Sequence, residues 1–86
     1  MKKKVAKMGI KNVVGVRVES LRKKKGLKQK DLSVALSEKG VTISSSALSK
    51  LEKQTRMVSD IELIALAEVL NVSICDLFDN DNKNIF

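Results

Sequence analysis

Apolar residues return at three- and four-residue spacings through most of this chain, and no proline interrupts them. Val14, Val18 and Leu21 make one such row, and Leu32, Ala35 and Leu36 a second. Ala47, Leu48 and Leu51 form a short third row. Leu63, Ile64, Ala67 and Leu70 form a fourth, and Ile74, Leu77 and Phe78 a fifth. Sheets favour β-branched and aromatic residues between frequent turns, whereas this chain has two aromatics and four glycines. The pattern predicts an all-α fold.

The breaks between rows carry helix-stop and helix-start chemistry. Gly26 follows Lys23, Lys24 and Lys25, cations that suit the negative end of a first helix beginning near Asn12. A second helix is expected from Lys28 to Lys39, ended by Gly40. Ser44 to Ser46 offer caps for a third, over Ser45 to Lys53. Ser59 with Glu62 is a capping-box pair that opens a fourth, and Asn71 can take the left-handed conformation that ends it. Ser73 caps a short fifth helix that is expected to bury Ile74, Leu77 and Phe78. Five short helices around one core, joined by connections of roughly 2–6 residues, make a compact bundle. Residues 1–11 read as a basic arm, 12–78 as the domain and 79–86 as an Asn/Asp-rich tail.

Composition narrows the function. The 86 residues contain no histidine and one cysteine, Cys75, which removes His-based acid/base work, ordinary zinc sites and an internal disulfide. No nucleophile–base pair is evident, so an enzyme is not expected, nor a metal or cofactor. The net charge is +7, unevenly placed. Residues 1–30 carry twelve basic side chains against Glu19 alone, while the rest carries five basic and nine acidic. A basic front on an acidic body suits a polyanion such as nucleic acid. No apolar window approaches the length of a membrane span, and Lys7 and Lys11 interrupt any signal-peptide core after Lys2 to Lys4. A membrane-surface role for residues 1–30 is disfavoured because Val14, Val18 and Leu21 are needed in the core. The expected compartment is the cytoplasm.

The third helix is unusual in having few apolar anchors and many short polar residues. Ser45, Ser46 and Ser49 can donate or accept, and Lys50 can reach guanine O6/N7 in a major groove roughly 12 Å wide. A serine-faced helix is most often merely solvated, so its surroundings decide.

Those surroundings are specific as a set. Leu21-Arg22-Lys23-Lys24-Lys25-Gly26-Leu27-Lys28-Gln29-Lys30-Asp31-Leu32 precedes Ala47-Leu48-Ser49-Lys50-Leu51-Glu52. Glu62 to Ser73 and Asp76-Leu77-Phe78 follow. Together, over about residues 13–78, they resemble the phage-repressor (Cro/Xre) helix-turn-helix family. The resemblance implies a lambda-repressor-like bundle with the helix-turn-helix in helices two and three. It further implies a regulator, more often a repressor, that binds a palindromic operator in double-stranded DNA as a homodimer.

By the same resemblance, Ser45, Ser46, Ser49 and Lys50 fall where the family's recognition helix meets base edges. Gln29, Ser44, Lys53, Thr55 and Arg56 fall where it contacts phosphates. Arg22 and Glu52 match an architectural ion pair that fixes the tilt of the reading helix. The arm lysines, Lys11 included, would add sequence-independent affinity. Ile61, Ile85 and Phe86 are apolar residues that the core does not obviously need, and are candidates for a dimer surface. A protein–protein module of the same fold, an antitoxin or antirepressor that occludes a partner, is the alternative.

Four departures from the family pattern stand out. The stretch from Leu36 to Ser49 is about five residues longer than a tight helix-turn-helix connection. Ser33 stands where a small alanine is usual, Lys28 replaces a Ser/Thr cap, and Gln54 stands where glycine is frequent.

Overall fold

The computed structural model describes residues 10–78. The arm lysines Lys2 to Lys4 and Lys7, the tail, and with it Ile85 and Phe86, lie outside the described residues. The chain forms α1 (Gly15–Lys24), α2 (Gln29–Glu38), α3 (Ser45–Glu52), α4 (Asp60–Leu70) and α5 (Ile74–Phe78). No strand occurs among the described residues.

Four of the helices end alike, with one residue in the left-handed region: Gly26 (φ 73°), Gly40 (φ 86°), Gln54 (φ 68°) and Asn71 (φ 59°). At each, the next residue's N–H donates five positions back, as Leu27 does to Arg22, Val41 to Leu36, Thr55 to Lys50 and Val72 to Ala67. This closed end satisfies carbonyls that a helix would otherwise leave orphaned. Glycine takes the conformation without strain, and asparagine can stabilise it locally. Gln54 has neither advantage, and its left-handed backbone costs roughly 1–2 kcal/mol.

Starts follow local polar chemistry. Ser59 and Glu62 exchange hydrogen bonds at 3.1 and 3.0 Å, and Ser73 and Asp76 do the same at 3.2 Å each. Ser44 Oγ accepts from the Ala47 N–H at 3.0 Å. At Lys28 half of the box survives: the Asp31 carboxylate accepts from the Lys28 N–H at 2.8 Å, but an ammonium has no lone pair to offer in return. The first helix begins at Gly15, three residues after the expected start near Asn12. Val14 is the N-cap, and Asn12 lies ahead of the helix, its Oδ1 accepting from the N–H groups of Val14 and Gly15.

The core is Val14, Val18, Leu21, Leu32, Leu36, Ile43, Leu48, Leu51, Ala65, Leu66, Ala67, Leu70 and Leu77. Three residues expected inside lie at the surface: Ile64 is 48% exposed, and Ile74 and Phe78 are 43% each. A five-residue helix has one inward position, and Leu77 takes it. On α4 the inward positions go to Ala65, Leu66, Ala67 and Leu70, which turns Ile64 outward with Ile61.

The residues between α2 and α3 are spent on an anchored connection. Ile43 is buried in the core, and Ser33 Oγ donates to its carbonyl at 2.6 Å. An alanine at position 33 could not make that bond. The Arg17 Nε–H, donating to the Asp76 carbonyl at 3.0 Å, ties α5 to α1.

Candidate nucleic-acid interface

α3 is held from one side and free on the other. Leu48 and Leu51 are buried among α1 and α2, while Ser45, Ser46 and Lys50 are exposed and Ser49 is half-buried. Ser44 is exposed at the cap, and because its oxygen accepts from Ala47 its proton is available to an outside acceptor. The helix carries one carboxylate, Glu52, and that group faces inward. The outward face of α3 therefore presents hydroxyls and one cation, Lys50, with no acid among them.

Glu52 is the centre of a small buried network. Arg22 donates from Nε to Oε2 at 2.7 Å and from Nη2 to Oε1 at 3.1 Å, and both residues are below a tenth exposed. The remaining Arg22 nitrogen, Nη1, donates to the Leu27 carbonyl at 2.7 Å, bracing the turn into α2. The Glu52 bond raises the Arg22 pKa further above its ordinary value, outweighing burial. Gln29 joins the same carboxylate, donating from Nε2 to Oε1 at 2.9 Å. One amide hydrogen of Gln29 is thus committed inward, leaving the second and the carbonyl oxygen for outside partners. Its side chain stands at the first turn of α2, where free backbone N–H groups attract anions.

The loop after α3 is tightly tied. Lys53 is exposed. The Thr55 hydroxyl donates to the Lys50 carbonyl at 3.1 Å, so its proton already has a partner. Arg56 meets a competing acid: it forks onto Glu62 at 3.0 Å twice and donates to the Met57 carbonyl at 2.9 Å. Glu62 in turn is held below the ordinary carboxylate range, chiefly by that Arg56 bond. A carboxylate with a lowered folded pKa stabilises the fold at neutral pH, and loses that contribution as pH falls below about 4.5. Acid-side thermal melts from about pH 6 to about pH 3 should therefore drop less steeply for Glu62→Gln than for the parent chain.

Three residues that hold this region escape a reading of periodicity. Asn12 Nδ2 donates to the carbonyls of Leu51 (3.1 Å) and Arg56 (2.7 Å), Gly15 packs against the Leu51 carbonyl, and Gln54 Nε2 donates to the Asn12 carbonyl at 3.2 Å. An asparagine just ahead of an apolar row is a cap signal. Its reach across the fold has no signature in the sequence.

An arrangement of this kind, a slim polar helix clamped by a second at its base within an all-α bundle, defines a helix-turn-helix domain. The chain belongs to the helix-turn-helix family of DNA-binding transcription regulators, of the Cro/Xre kind, whose family model matches residues 18–77. Among solved structures it is similar to the restriction-modification controller protein C.AhdI from Aeromonas hydrophila, at 29% identity and a TM-score of 0.67, over 76% of this chain and 87% of that one. It is also similar to the clp gene regulator ClgR from Corynebacterium glutamicum, at 26% identity and a TM-score of 0.68, over 79% and 67% of the two chains. No curated protein sequence matches it significantly. Among the described residues no helix is long and apolar enough to cross a membrane.

Proposed function

We propose that this chain is a repressor that binds a specific palindromic site in double-stranded DNA and acts by occupying it. The observation that carries the reading is the outward presentation of Ser45, Ser46 and Lys50 on α3, while Leu48, Leu51 and Glu52 anchor its other side. Ser45, Ser46, Ser49 and Lys50 read base edges. The Ser44 hydroxyl, the free amide hydrogen of Gln29 and the Lys53 ammonium meet phosphates. Thr55 and Arg56 border the same backbone; with their donors largely engaged within the loop, they shape it more than they reach from it.

Two copies would place their α3 helices in successive major grooves, about 34–36 Å apart. Ile61 and Ile64, one turn apart and exposed on α4, supply apolar surface for such a pairing. The same residues would serve an antitoxin or antirepressor docking on another protein, so the salt response separates the readings.

Binding to random duplex DNA, followed by fluorescence anisotropy, should weaken steeply with salt. Removing one phosphate contact through Lys53→Ala should lower the log–log slope by about 0.9. A flat salt profile would favour the protein partner. In a selection from a random duplex library, the parent chain should recover a palindrome, and Lys50→Ala and Ser46→Ala should change the recovered bases. Unaltered selections from both variants would remove α3 as the reader.

A further inference from the structure

We propose that Asn12 is a positioning residue for duplex binding: its carboxamide locks the first turn of α1 to the C-terminal end of α3 and to the loop that carries Lys53. This rests on α3 being the reading helix. Asn12 is remote from α3 in sequence, yet all of its polar capacity is used at that junction. Its oxygen receives the N–H groups of Val14 (3.1 Å) and Gly15 (2.7 Å), and its nitrogen donates to the carbonyls of Leu51 (3.1 Å) and Arg56 (2.7 Å). One amide group thus joins three segments.

Backbone and side-chain bonds run parallel to it. The Lys11 N–H donates to the Gln54 carbonyl at 2.9 Å, and Gln54 Nε2 returns a bond to the Asn12 carbonyl at 3.2 Å. Residues 11 and 12 therefore lie along residues 51–56. The two carbonyls that Asn12 holds bracket the left-handed Gln54, so they fix where the chain goes as it leaves α3. Lys53 is the exposed cation inside that bracket. A clamp at the Arg22–Glu52 network sets the tilt of α3 from α1 and α2. The Asn12 latch sets the direction of the loop beyond it, and the two are independent in their atoms.

The acceptor and donor roles can be separated. A serine hydroxyl can accept from the same two backbone N–H groups but has no amide to span to Leu51 and Arg56. Asn12→Ser should be compared with Leu77→Ala, a core change in α5, which packs on α1 and α4. Both are titrated as full chains onto random duplex DNA by anisotropy, at a temperature where circular dichroism shows each folded. Asn12→Ser is expected to bind about tenfold more weakly than the parent, and Leu77→Ala within about twofold. Amide resonances of Thr55 and Arg56 should move in Asn12→Ser and stay in Leu77→Ala.

Equal losses in both variants, or parent-like binding by folded Asn12→Ser, overturn the inference while leaving the reading of α3 intact. If the parent chain itself shows no salt-dependent duplex binding, that reading fails and takes the inference with it. A measurement on the parent alone covers a variant that does not fold. The Asn12 side-chain amide protons should stay slow to exchange with water both free and DNA-bound, and loss of that protection on binding refutes the latch.

Discussion

Replacing Arg22 with alanine is expected to cost about 3–5 kcal/mol of folding stability, read as a lowered midpoint in urea at unchanged slope. A domain of this size has on the order of 5–10 kcal/mol to lose, so the variant should be largely unfolded in mild denaturant. The size of the effect comes from what remains, not from what is removed. Arg22 is 7% exposed and Glu52 5%, and two Arg22 nitrogens bond that carboxylate. Without the guanidinium, Glu52 keeps only the single amide bond from Gln29, inside a site that water barely reaches. The Leu27 carbonyl loses its donor as well. Removing both charges should be far milder: an Arg22→Met, Glu52→Leu double variant is expected to recover most of the loss, since a buried ion pair is often matched by apolar packing. That double variant should nonetheless bind DNA poorly, because Gln29 and the tilt of α3 lose their common anchor. A cost below about 1 kcal/mol for Arg22→Ala would mean that Glu52 is hydrated, as in an exposed pair.

Gly15→Ala is expected to cost about 3 kcal/mol, although alanine is the better helix former by up to about 1 kcal/mol. Gly15 is the first residue of α1, and its φ is not the reason for its glycine. A methyl group there would overlap the Leu51 carbonyl oxygen and come within 3.1 Å of both Asn12 Oδ1 and the Glu52 carbonyl. The obstructing atoms are backbone at the end of α3, which cannot swing aside as a side-chain tip would. Relief requires α1 and α3 to move apart, which also stretches the Asn12 bonds to Leu51 and Arg56. Thermal unfolding should show a large drop in midpoint, and the folded fraction should bind DNA less well than its folded population accounts for. A Gly15→Ala chain as stable as the parent would show that α1 and α3 can part at little cost to admit a methyl group beside the Leu51 carbonyl.

The helices were legible because their signals are local. Gly26, Gly40 and Asn71 announce ends that need a left-handed residue, and Ser59 with Glu62 announces a start, through bonds spanning only a few residues. Burial was less legible on the short or doubly apolar helices. α4 has more apolar residues than inward positions, so Ile64 could be assigned outward only once Leu66 and Leu70 had taken the core. Ile74 and Phe78 lost their places to Leu77 for the same geometric reason. On the candidate interface, residue type and family pattern placed Ser45, Ser46 and Lys50 on one helix. That Arg56 turns to Glu62 and Gln29 to Glu52 depends on partners six and twenty-three residues away.

Sequence alone settled that this chain is helical, which residues break and cap most of its helices, that it offers a polyanion a basic front, and which family pattern it follows. Each of these rests on chemistry between near neighbours or on sums over the chain, and neither needs the fold. Tertiary structure alone decided which apolar residues stayed outside, which polar donors were already engaged, and that Asn12 and Gly15 meet the far end of α3. Those outcomes turn on competition for limited inward space and on contacts across some forty residues, distances over which spacing along the chain carries no information.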